Sequence, residues 1–227
     1  MIDVNFLYDV SNINNKFKEN IPFKRIKYYN INNHRMLISN NQKNYIIKCV
    51  NIAHNVLLNL PHTLLNNNKK LDTNNWNFFI NKNGVMFNLP YTLDNIIYLP
   101  ISIINSKNLI TTLIHERIHI YQRYNIDIWF NYIQQNTNWK KLEYCYYDGY
   151  IDTLIYPNFV IKNPDTIGNF SYKNYFACFI YNVEIKKILI QWFRIEENNK
   201  LKKVNCIIFD YEHPFEEFAY YYQNTLI

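Results

Sequence analysis

Apolar residues recur at helical spacing in four stretches of the chain and at strand-like spacing in several others. In YIIKCVNIAHNVLLNL, from Tyr45 to Leu60, the positions Ile46, Ile47, Val50, Ala53, His54, Leu57 and Leu58 share one side of a helix that Pro61 must end. The run from Ser106 to Arg123 has Ser106 as its N-cap and Ile110, Leu113, Ile114, Ile118 and Tyr121 as its buried flank. A third helix is predicted over Asn125 to Gln135, with Ile128, Trp129, Tyr132 and Ile133 inward. A fourth runs from Pro214 to Leu226, opening with Pro214 and the acids Glu216 and Glu217. Lys140 to Tyr147 suggests a further short helix. Strand-like runs are IKYYNI and RMLIS on either side of Asn32-Asn33, then Trp76 to Ile80 and Val85 to Phe87 around a turn at Gly84. Asn95 to Leu99 and Val204 to Phe209 complete the set. Tyr175 to Ile195 fits either two strands or a strand followed by a helix through KKILIQWF. The stretch from Tyr146 to Tyr172 is punctuated by Asp148-Gly149, Pro157, Asn163-Pro164-Asp165 and Gly168, and reads as a long ordered excursion lining a cleft.

No repeat divides the 227 residues. They read as a single domain, with residues 1–75 an N-terminal portion carrying the 45–60 helix and residues 76–227 the core. Composition narrows the function classes. Three glycines leave no Gly-rich phosphate loop, and the 39 asparagines reflect sequence bias more than chemistry. The net charge of +6 is spread thinly. The lysine pairs at 69–70, 140–141, 186–187 and 202–203 read as solvated faces, so no specific nucleic-acid partner is expected. Cys49, Cys145, Cys178 and Cys206 lack zinc-knuckle or disulfide spacing, which points to a reducing intracellular setting. The N-terminus has no basic-then-apolar order, and no apolar run reaches twenty residues, so neither a secretory signal nor a membrane span is expected.

One motif changes the picture. His115, Glu116 and His119 form His-Glu-x-x-His inside the second predicted helix. Imidazoles four residues apart lie on one helical face and can grip a single zinc ion, and the intervening glutamate is placed to take a proton from water. The pattern is short and arises by chance, so a third ligand must be found. A metzincin continuation needs glycine at 122 and histidine at 125, where this chain has Gln122 and Asn125. A glutamate from a later helix is the other route.

The C-terminal helix supplies one. HPFEEFAYY resembles the Glu-x-x-Ala stretch that brings the third ligand in HExxH-plus-Glu zincins of the thermolysin-like, gluzincin kind. The match puts Glu216 on the metal, with Glu217 as the alternative, Phe218 in the helix core and Ala219 where close packing is wanted. Together with IHERIHIYQR, NLPYTLDNIIYLP and the NPDT turn, residues 76 to 223 resemble, discontinuously, uncharacterised zinc-peptidase-like proteins of large DNA viruses. The resemblance implies an α+β zincin-like fold with a small mixed sheet beside the HExxH helix, and a Zn2+ held by His115, His119 and Glu216. Glu116 would then pass a proton from water to the leaving amine of a peptide or protein substrate, which an extended chain could present along the sheet edge. The oxyanion donor is expected among Tyr211 and His213 first, then Tyr220 or the Tyr146-Tyr147 pair. Tyr220 stands where many gluzincins carry the acid that orients a ligand histidine, so a backbone carbonyl, Asp210, Glu212 or another group must do this. Arg117 and Arg123 read as salt-bridged or solvated. The setting implied is host cytoplasm or virion, and homo-oligomerisation is left open. The rival reading is a catalytically silent zincin-like structural or interaction protein.

Overall fold

The computed structural model describes residues 2–7, 35–61, 64, 72–83, 88–143, 150–161, 163, 165–166 and 168–225. The chain divides into two compact units, Met1–Ile126 with Ala219–Ile227, and Asp127–Phe218.

The first unit is built on a four-stranded mixed sheet in the order β1-β2-β4-β3: β1 (Asp3–Phe6), β2 (Asn75–Asn81), β3 (Tyr91–Leu93) and β4 (Ile96–Pro100). β1, β2 and β4 run parallel, and only the edge strand β3 is antiparallel. β2 is buried along nearly its whole length, as a strand covered on both faces must be. Period-2 alternation sorts its side chains. Phe79 meets Tyr91, Leu93, Ile96 and Tyr98 on one face, while Trp76 and Phe78 point to the other. The expected strand at Asn95 to Leu99 is therefore β4. IKYYNI, the Gly84 turn and the strand expected at 85–87 lie outside the described residues.

Two helices complete this core. α1 (Asn40–Leu57) begins earlier than its apolar period, because Ser39 and Gln42 form a reciprocal cap. The Gln42 amide donates to Ser39 Oγ at 3.3 Å and the Ser39 amide to Gln42 Oε1 at 2.9 Å. The RMLIS run is accordingly no strand; it makes one antiparallel bridge, Arg35 to Asn81, before the cap diverts it. α2 (Leu109–Tyr124) carries the HExxH motif and packs on α1, β3 and β4. Its N-cap is Asn108, with Ser106 Oγ accepting from the Asn108 amide just outside. Every residue from Leu113 to Arg123 is buried, so this helix is enclosed all round and has no solvated face.

The second unit holds a six-stranded antiparallel sheet. Its strands are β5 (Trp139–Lys141), β6 (Phe159–Ile161), β7 (Phe170–Tyr172), β8 (Tyr175–Asn182), β9 (Lys187–Ile195) and β10 (Leu201–Val204). α3 (Ile126–Asn136) precedes it and α4 (Tyr150–Ile155) packs on one face, where Ile151 and Ile155 meet Phe176, Cys178, Ile180, Phe193 and Leu201. That alternation through β8 settles the ambiguous 175–195 stretch as a hairpin of two strands. Two expectations change here. Lys140 and Lys141 sit in a strand, β5, rather than a helix. β10 stops at Val204, because Phe209 stacks on Tyr172 (4.5 Å between ring centres) and packs on Trp139, drawing the chain off the sheet edge. Lys140-Lys141 on β5 and Lys202-Lys203 on β10 lie at opposite edges of the sheet and form no common basic stripe. α5 (Pro214–Thr225) is the last helix; it is continuous across the boundary of the two units, its residues from Ala219 belonging to the first. Among the described residues no helix is long and apolar enough to cross a membrane.

Candidate metal centre

Helix geometry stacks His115 over His119 on one face of α2. Their Nε2 atoms are 3.0 Å apart and their rings stand nearly perpendicular, at 80°. Two imidazole nitrogens bound tetrahedrally to one zinc at about 2.0–2.1 Å lie roughly 3.3 Å apart, so this pair is already converged on a shared point. His119 is fully buried, and its Nδ1 lies 2.8 Å from Oε1 of Gln122, one turn further along. A carboxamide oxygen only accepts. Nδ1 therefore carries the proton and Nε2 presents its lone pair. Glu116 is buried beside His115, on the motif helix.

The third group comes from α5. Pro214 occupies the first helical position, where its missing N–H costs nothing. His213 caps the helix start: its Nδ1 accepts from the Phe215 amide at 3.1 Å, and its ring packs edge-on against Phe170 and Phe215. Further along α5, the Tyr220 ring meets His115 at 4.5 Å between centres. Glu216 precedes Tyr220 by four residues and shares its helical face. The donor atoms of His115, His119 and Glu216 all lie within 4.8 Å of one another, and all three residues are buried. This is an HExxH-plus-Glu arrangement, a buried His/His/Glu cluster whose geometry suits zinc. The donor set fits that ion too, with two imidazoles, one carboxylate and coordination left over.

Glu216 and Glu217 are separated by what holds them. Asn163 Nδ2 donates to Glu216 Oε1 at 2.6 Å and to Glu212 Oε1 at 3.1 Å. Trp139 Nε1 instead donates to Glu217 Oε2 at 2.6 Å, tying that side chain to β5. Burial pushes Glu217 above the usual carboxylate range, with the Trp139 bond opposing. Glu212 is pushed up much further, first by burial and then by the nearby Glu216 charge, against the Asn163 hydrogen bond. Tyr211 packs on Phe209, and burial, Asp210 and Glu217 raise its hydroxyl.

Sequence reasoning gave Gln122 no role beyond closing the metzincin route, and the (i, i+3) spacing to His119 was the signal available. Asn163 had none: the NPDT turn announces a turn former, and its reach to residue 216 depends on the fold. Arg117 and Arg123 differ from expectation. Both are buried and donate to backbone carbonyls, Arg117 to Asp72 and Thr73, Arg123 to Thr92 and Asp94. β3, one edge of the first sheet, is buried at all three residues. Tyr146 and Tyr147 lie outside the described residues. No family model, curated protein or solved structure matches the chain, so the reading of this centre stands on its residues and their geometry.

Proposed function

We propose that this protein is a zinc-dependent metallopeptidase of gluzincin-like design, hydrolysing peptide bonds in a protein or peptide, in the intracellular setting its sequence resemblance implies. The observation that carries the reading is the convergence of His115, His119 and Glu216 on one buried point with Glu116 adjacent to a ligand. A zinc ion held there supplies Lewis acidity toward a scissile carbonyl. Glu116 is the residue we assign as base, taking a proton from water and returning it to the leaving amine. His213 and Tyr211 are assigned as oxyanion donors. Because His213 Nδ1 accepts from the Phe215 amide, its neutral ring carries the proton on Nε2 and can donate there. Tyr220, half-exposed against the His115 ring, is the next candidate donor.

The burial of all three ligands, none more than 9% exposed, favours the rival reading, a silent zincin-like protein with a structural ion. Elemental analysis combined with cleavage of a peptide library separates them. We expect one zinc per chain and measurable cleavage in the wild type. In Glu116→Gln the zinc should stay while cleavage falls by about 100-fold or more. Stoichiometric zinc with no cleavage in either protein selects the silent reading. Unimpaired zinc binding by Glu216→Gln overturns the assigned ligand set.

A further inference from the structure

A histidine can serve as a metal ligand only in one tautomer and one ring orientation, and a glutamate only if its carboxylate is held toward the ion. In this protein both tasks fall to neutral carboxamides. Gln122 is fully buried on α2 and its Oε1 lies 2.8 Å from His119 Nδ1. Asn163 is itself locked before it meets the acids: its Oδ1 accepts from the Asp165 amide at 3.0 Å, which fixes the amide's orientation and aims Nδ2 outward. That Nδ2 then donates to both Glu216 and Glu212. One carboxamide thus spans two neighbouring acid side chains and fixes the direction of both.

We propose that Gln122 and Asn163 are positioning residues for the metal centre, Gln122 setting the tautomer and direction of His119, and Asn163 setting the direction of Glu216. The proposal rests on the zinc reading above. For His119 the orienting acceptor lies within the motif helix itself, while Tyr220 packs on the other histidine, His115. An amide oxygen is a weaker acceptor than a carboxylate, so the centre is built with less ligand basicity than a carboxylate–histidine pair would give.

The test is zinc affinity by chelator competition, together with the visible spectrum of the cobalt-substituted protein. Gln122→Ala and Asn163→Ala should each weaken zinc by about 10–100-fold and shift the cobalt bands. Gln122→Glu should bind zinc at least as tightly as the wild type, a direction that loss of a merely structural contact does not produce. Wild-type affinity and unshifted cobalt bands in both alanine variants overturn the proposal. If an alanine variant does not fold, two others decide. Gln122→Glu binding more weakly than wild type overturns the first half. Asn163→Asp keeps the bond to the Asp165 amide but replaces the donor with a like charge beside Glu216, so unshifted cobalt bands overturn the second. A wild-type protein that takes up neither metal sinks the zinc reading itself, a separate outcome.

Discussion

Arg117 shows how far a residue's task can depart from its type. It sits between the two ligand histidines in sequence, points away from them, and is fully buried. Its guanidinium donates to the carbonyls of Asp72 (3.2 Å) and Thr73 (3.0 Å) and lies over the rings of Trp76 (4.9 Å) and Tyr121 (5.2 Å). A planar fork can do all of this at once and an ammonium cannot. Arg117→Lys keeps the charge yet strands at least one carbonyl, so we expect a loss of about 1–3 kcal/mol in urea unfolding, with zinc stoichiometry unchanged. An unmoved midpoint refutes the role. Legibility at this scale follows distance along the chain. His115, Glu116 and His119 were readable because one helix turn relates them. The choice of Glu216 over Glu217 rested on the resemblance alone, because its physical reason, the Trp139 bond that holds Glu217, lies 78 residues away. Arg117 was misread for the same reason, its carbonyl partners lying about 45 residues upstream.

At the scale of elements, apolar period located α1, α2, α3 and α5 but understated the burial of α2. A helix whose polar residues bond inward looks amphipathic in sequence and is enclosed in the fold. α1 supplies part of that enclosure and brings His54, a buried titratable group. His54 is 7% exposed, and burial first, then the Arg117 charge, lowers its pKa below the ordinary value. The neutral ring is therefore the folded form. As pH falls through about 6.5 the unfolded chain takes up a proton that the folded protein refuses until its own lower pKa is reached. Stability from this group is complete above that window and is lost through it, at no more than about 1.4 kcal/mol per pH unit. In His54→Leu the urea midpoint should fall less steeply than in wild type between pH 7 and 5. Parallel profiles refute the assignment. The strands were less legible than the helices where contacts across the sheet decide: β10 ends at Val204 because of aromatic rings that no local pattern announces.

For the molecule as a whole, the two parts of the metal centre lie far apart in sequence, His119 on α2 and Glu216 on α5, 97 positions later (216 − 119). In the unfolded chain that pair of donors is not assembled, whereas in the folded protein it lies within 4.8 Å. An ion that binds the folded state alone stabilises it by mass action, by about 2.7 kcal/mol at a free concentration one hundred times Kd. For a chain of this length that corresponds to roughly 5–10 °C in melting temperature. We therefore expect the chelator-stripped protein to melt that much below the zinc-loaded form, and re-addition of zinc to restore it. His115→Ala and Glu216→Gln should lose most of the response. The comparison also separates burial from binding. A centre made of buried polar side chains bonded only to one another gains nothing from zinc, and its melting curve would be the same with or without the ion. On the zinc reading, α2 and α5 gain stability in common only when the ion is bound.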